Sequence, residues 1–129
     1  MRTTIFQLVD GRVRPASETD HQFRELREFD GSPAERVAIH ELETLGAVEL
    51  QLVQILVGGH FPIHSSDKLA FCQVVAGAGR LGLPDGAFLD YRAPETYVFH
   101  PGTLHEWRDI MEDTVLSVAL IPTLEGEPA

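Results

Sequence analysis

Apolar and polar residues alternate with a period of two through the central and C-terminal parts of the chain, and turn-forming residues interrupt the alternation at short intervals. Strands place successive side chains on opposite faces, so this pattern predicts half-buried β-structure. The predicted strands cover residues 37–45, 47–57, 69–76 and 115–121, with shorter ones at 80–83, 87–91, 96–100 and 104–108. Within 47–57 the phase slips. Val48, Leu50 and Leu52 hold one parity, and Val53, Ile55 and Val57 hold the other. Such a slip predicts a β-bulge or a strand buried on both faces. Asp10-Gly11, Asp30-Gly31-Ser32-Pro33, Gly58-Gly59, Pro84-Asp85-Gly86 and Pro101-Gly102 read as turns. Gly supplies positive φ, Pro fixes φ, and Asp bonds to the local backbone. Residues 17–29 fit either period, because Phe23, Leu26 and Phe29 also match helical spacing. A strand with an irregular lead-in is the reading adopted. Many short strands at this spacing argue for an all-β sandwich or barrel.

A length of 129 residues suits one domain, residues 1–129, and 43% apolar residues suffice for a core. The tail, residues 123–129, reads as frayed. Ten basic against twenty acidic residues give a net charge of −10. No basic stripe could track a phosphate backbone or an anionic bilayer, so neither a nucleic acid nor a membrane is expected as partner. Lys68 is the only lysine, and Cys72 the only cysteine, which rules out an intrachain disulfide and a Cys-rich zinc site. The N-terminus lacks a signal-peptide pattern and no apolar run could span a bilayer, so a cytoplasmic protein is expected.

Chemistry concentrates in histidine, the usual metal ligand and the usual acid–base group near neutral pH. Of six histidines, His60, His64, His100 and His105 lie beside Gly/Pro turns. Gly58-Gly59-His60-Phe61-Pro62-Ile63-His64-Ser65-Ser66, followed by Phe71-Cys72-Gln73-Val74-Val75-Ala76-Gly77, resembles the first motif of the cupins, here residues 58–77. Pro101-Gly102-Thr103-Leu104-His105 is similar to their second motif, residues 101–105. The resemblance implies a cupin-type antiparallel β-barrel or jelly roll, and a homodimer.

The resemblance also implies a metal held by two His and a Glu from the first motif and one His from the second. His64 and His105 match two of these positions. Ser66 stands in place of the second His, Ala70 in place of the Glu, and Asp109 in place of a customary Asn. His60 lies roughly 13 Å along an extended strand from His64 and is a poor substitute. Cys72 shares the parity of His64, Ser66 and Ala70, which makes it a candidate third ligand to Zn(II), though a lone Cys is more often a small buried hydrophobe. The cofactor expectation is therefore none, or one divalent metal (Zn, Fe, Ni or Mn) on His64 and His105.

The function implied is that of a small-molecule enzyme with His64 and His105 as catalytic groups transferring a proton, isomerase- or cyclase-like. The alternatives are a metal-dependent dioxygenase or lyase, and a non-catalytic binding module. Ser66, Cys72, Trp107 and Phe71 are the expected substrate-binding residues, with Phe61, Val74 and Phe99 as further apolar lining. Lys68, Glu106 and Arg108 read as surface residues. His100 reads equally well as a surface residue or as a partner of the site, and His21 and His40 carry no assignment.

Overall fold

The computed structural model describes residues 1–124, so the C-terminal end of the expected frayed tail lies outside the described residues. Nine strands form: β1 (Thr3–Val9), β2 (Arg12–Glu18), β3 (Arg24–Phe29), β4 (Ser32–Leu45), β5 (Val48–His64), β6 (Leu69–Gly82), β7 (Phe88–Arg92), β8 (Glu95–Phe99) and β9 (His105–Ile121). Among the described residues there is no helix, and 17–29 resolves as the end of β2, an irregular link and β3. β1 and β2 make a separate hairpin on the Asp10-Gly11 turn. The other seven strands form one antiparallel sheet in the order β3-β4-β5-β9-β6-β7, with β8 also on β6. The sheet curls round a common core of Val37, Val53, Ile55, Val74, Tyr91, Trp107 and Leu116. All-β architecture is thus as expected.

β4 begins at Ser32 where the alternation predicts residue 37, and β5, β6 and β9 are longer than predicted because bulges replace breaks. The Gly58-Gly59 pair is not a turn but an interior irregularity of β5. Gly58 takes φ +79°, and the pairing with β9 loses register between Ile55 and Phe61. The predicted strands 69–76 and 80–83 are one strand, β6, with register shifts from Val74 to Arg80. Likewise 104–108 and 115–121 merge into β9, where Asp109 adopts φ +48°. An extra residue at each bulge bends the strand and increases its twist, which is what wraps a long strand round a core.

The phase slip in β5 marks burial on both faces. Leu52 and Val53 are successive residues and both are buried. Val53 faces the core. Leu52 is registered opposite His40 of β4, and His40 is packed by the rings of His21 and Phe23 from the link after β2. That link therefore covers the outer face. Thr3 Oγ1 with His21 Nε2 at 2.9 Å and His40 Nε2 with Glu18 Oε1 at 2.6 Å tie the first hairpin down beside it.

Gly77 gives the most direct link from sequence to packing. It sits at φ +103°, and a Cβ there would fall 2.6 Å from Asp113 O and closer still to Thr114 Oγ1. Thr114 is wholly buried and accepts a 2.6 Å hydrogen bond from Tyr91 Oη while donating to Glu112 O. It cannot move aside without breaking both bonds. Gly77→Ala is expected to destabilise the fold by about 3 kcal/mol, from left-handed strain and overpacking together. Gly86→Ala, at φ +88° but with nothing within 4 Å, should cost only about 1 kcal/mol. Denaturant melts of the two variants check this; equal losses would show that packing against Thr114 does not matter.

Candidate functional site

His64 ends β5 and His105 begins β9, and the two are registered partners across the β5–β9 ladder. Their rings lie 4.4 Å apart, centroid to centroid. Phe61 stacks on His64 at 4.3 Å and Phe99 on His105 at 3.7 Å, nearly parallel, while Phe29 meets His64 edge-on at 5.1 Å. Each imidazole is thus clamped by an aromatic ring. Backbone bonds fix the tautomers as well. His64 Nδ1 donates to Pro62 O at 2.8 Å, and His105 Nδ1 donates to Thr103 O at 3.0 Å. A carbonyl can only accept, so in each neutral ring Nδ1 carries the hydrogen and Nε2 keeps its lone pair. Neither Nε2 has a partner among the described residues.

Both histidines line one cavity of about 140 Å³ inside the curled sheet. Its wall includes Phe29, Ile39, Gln51, Val53, Phe61, Ser65, Ser66, Ala70, Cys72, Trp107, Leu116, Val118 and Leu120, and no Asp, Glu, Lys or Arg. In these surroundings the charged imidazolium is disfavoured. Burial, joined by the charge on His64 and opposed by the Thr103 carbonyl, brings His105 down to about 4. Burial also lowers His64, against the Pro62 carbonyl and the charge on Asp30. The Cys72 thiol is pushed up to about 12 by burial alone. At neutral pH the cavity therefore presents two uncharged bases and an un-ionised thiol.

The parity argument places Ser66, Ala70, Cys72 and Trp107 on the cavity wall with the two histidines, as the structure has them. Phe71 is a correction. It lies on the outer face of β6, over a third exposed, because strand period two sends it opposite to Ala70 and Cys72. Val74 belongs to the core beyond the cavity, and Phe99 acts from behind His105. His60 faces away and pairs with Glu106 at 2.9 Å, so Glu106 is half-buried rather than free on the surface. Arg108 is also half-buried, His100 is exposed, and Lys68 bonds Ala47 O and Glu49 on the rim. Asp109 pairs with Arg80 and Arg108 outside the cavity. Gln51 and Phe29 escaped notice. Gln51 shares the parity of Val53 and Ile55, so the later phase of β5, extended backwards, would have found it.

No family model matches the chain, and no curated protein matches it by sequence. Solved structures do match. A cupin 2 conserved barrel domain protein from Rhodopseudomonas palustris aligns over 100% of this chain and 84% of its own, with a TM-score of 0.66 and 15% identity. The Cnp3 cupin domain of Schizosaccharomyces pombe aligns over 95% of this chain and 88% of its own, at 0.70 and 7% identity. This is the cupin fold. The polyketide cyclase RemF from Streptomyces resistomycificus also shares it, at 0.66 and 20% identity over 84% of each chain.

The motif resemblance puts the expected metal ligands at His64, Ser66, Ala70 and His105. The residues of this chain do not fit a resident metal. A hydroxyl and a methyl stand where the resemblance implies an imidazole and a carboxylate. Among the described residues no three His, Cys, Asp or Glu side chains converge on one point. Catalytic zinc sites take three protein ligands, and two imidazoles fall short of that.

Proposed function

We propose that this cupin is a small-molecule enzyme whose histidine pair moves a proton between two atoms of an organic substrate, in the manner of an isomerase or cyclase. The observation that carries the reading is the pair of free Nε2 lone pairs held 4.4 Å apart by ring centroid in one apolar cavity. One Nε2 takes the proton from an acidic C–H or O–H of the substrate. The imidazolium so formed keeps its Nδ1 bond to a backbone carbonyl. The proton then returns to a second substrate atom, leaving the enzyme unchanged. A base with a lowered pKa is fully unprotonated at neutral pH but weak, so it suits a substrate whose proton is itself activated, as beside a carbonyl.

Deuterium exchange at activated C–H positions of a panel of uncharged cyclic ketones, followed by proton NMR in heavy water, tests the reading. Wild-type protein should accelerate exchange of at least one member, and His64→Ala or His105→Asn should abolish the acceleration. No acceleration across the panel would favour a binding module. For the metal, protein purified without added metal should carry well under one equivalent by elemental analysis. A stoichiometric metal lost on mutation of both histidines would replace this proposal with the metal-dependent one.

A further inference from the structure

The geometry points to a specific ligand class for this cavity: an uncharged, ring-sized molecule that donates a hydrogen bond from a phenol- or enol-type hydroxyl to the histidine pair. The inference rests on the histidine cavity described above and adds what enters it.

Charge is the first restriction. A carboxylate or phosphate entering this cavity would lose its hydration with no Lys, Arg or cationic imidazole to replace it. A cation would find no carboxylate. The net charge of −10 adds a general penalty for anions. Size is the second. A cavity of about 150 Å³ lined by apolar side chains is known to hold benzene, and this one measures about 140 Å³. One six-membered ring fills it. Phe29, Phe61 and Trp107 put aromatic side chains in the wall, which suits an aromatic occupant.

Hydrogen bonding is the third restriction. The two Nε2 atoms are acceptors, so the ligand must bring the donor. An ether or a bare hydrocarbon would leave both lone pairs dry and unpaired. Gln51 adds a second polar point. It lines the same cavity from the ladder row of Val118 and Cys72, and its amide has no hydrogen-bond partner among the described residues. An amide both donates and accepts, so it can meet a second oxygen on the ring.

Trp107 is the only tryptophan and lines the cavity, so its fluorescence reports occupancy directly. The probes are phenol, anisole, benzoate and resorcinol, titrated at pH 7.5. Phenol should saturate the signal at least tenfold more tightly than anisole, which lacks the donor, or benzoate, which carries the charge. Resorcinol should bind more tightly than phenol, and Gln51→Leu should erase that difference. The double variant His64→Ala/His105→Ala should reduce phenol to the level of anisole. Equal binding of anisole and phenol, tighter binding of benzoate, or no saturation by any probe would each overturn the inference. The wild-type comparison of phenol with anisole needs no variant to fold. Selective phenol binding without deuterium exchange would sink the proton-transfer proposal and leave this one standing.

Discussion

His105→Asn should lower proton transfer by about 10²- to 10⁴-fold, the usual contribution of a positioned general base, while leaving the protein folded. The choice of asparagine follows from the packing. His105 is 4% exposed, lies flat against Phe99, and donates Nδ1–H to Thr103 O. Alanine would open a cavity and strand that carbonyl, at about 2 kcal/mol. An Asn side-chain amide can keep the bond to Thr103 O but has no atom where Nε2 stood. Loss of exchange with near-native stability would therefore report the lone pair and not the fold. His64→Asn is the matching test on the other strand, retaining the Pro62 contact. Should either Asn variant keep full activity, proton transfer by the pair is wrong, whatever the alanine variants do.

The turn-punctuated alternation is enough to read the all-β class, and motif spacing singles out His64 and His105 as the expected pair of site residues. What alternation alone cannot convey is continuity. Gly58, Gly77 and Asp109 each look like the end of a strand, and each is a bulge inside one. A local signal marks the irregularity, but long-range pairing decides whether the chain turns or bends there. The same limit hid the first hairpin. Phe6, Leu8 and Val13 are largely exposed, so β1 and β2 show no buried stripe to betray them. In the site, strand parity puts Phe71 on the outer face, opposite Ala70 and Cys72. Gln51 is a single polar residue between Leu50 and Leu52 and carries no motif that marks it. Here it faces inward, onto a cavity instead of a packed core.

Acid should destabilise this protein over a defined window. His105 is held at about 4 in the folded chain, against 6.5 for an unperturbed histidine. Between those values the unfolded chain binds the extra proton, so stability rises with pH there. The contribution is fully present above pH 6.5 and is lost as pH falls through the folded value, on the order of 3 kcal/mol in total. His64 is lowered too and acts in the same direction. The two rings titrate as a coupled pair, so their contributions do not simply add. His40 works the opposite way. Burial pulls it down, but the hydrogen bond it donates to the Glu18 carboxylate, the one to the Gln22 carbonyl and the Glu18 charge outweigh burial and raise it. Its contribution is fully present below pH 6.5 and fades as pH rises through its folded value, above the window in which His105 acts. Urea melts of wild type, His105→Asn and His40→Ala from pH 4 to 8 separate these terms. His105→Asn should flatten the acid limb, and His40→Ala should leave that limb unchanged while removing the decline in stability above pH 6.5. An acid limb unchanged in His105→Asn would mean that folding does not lower the His105 pKa, and that the cavity does not disfavour the charged ring.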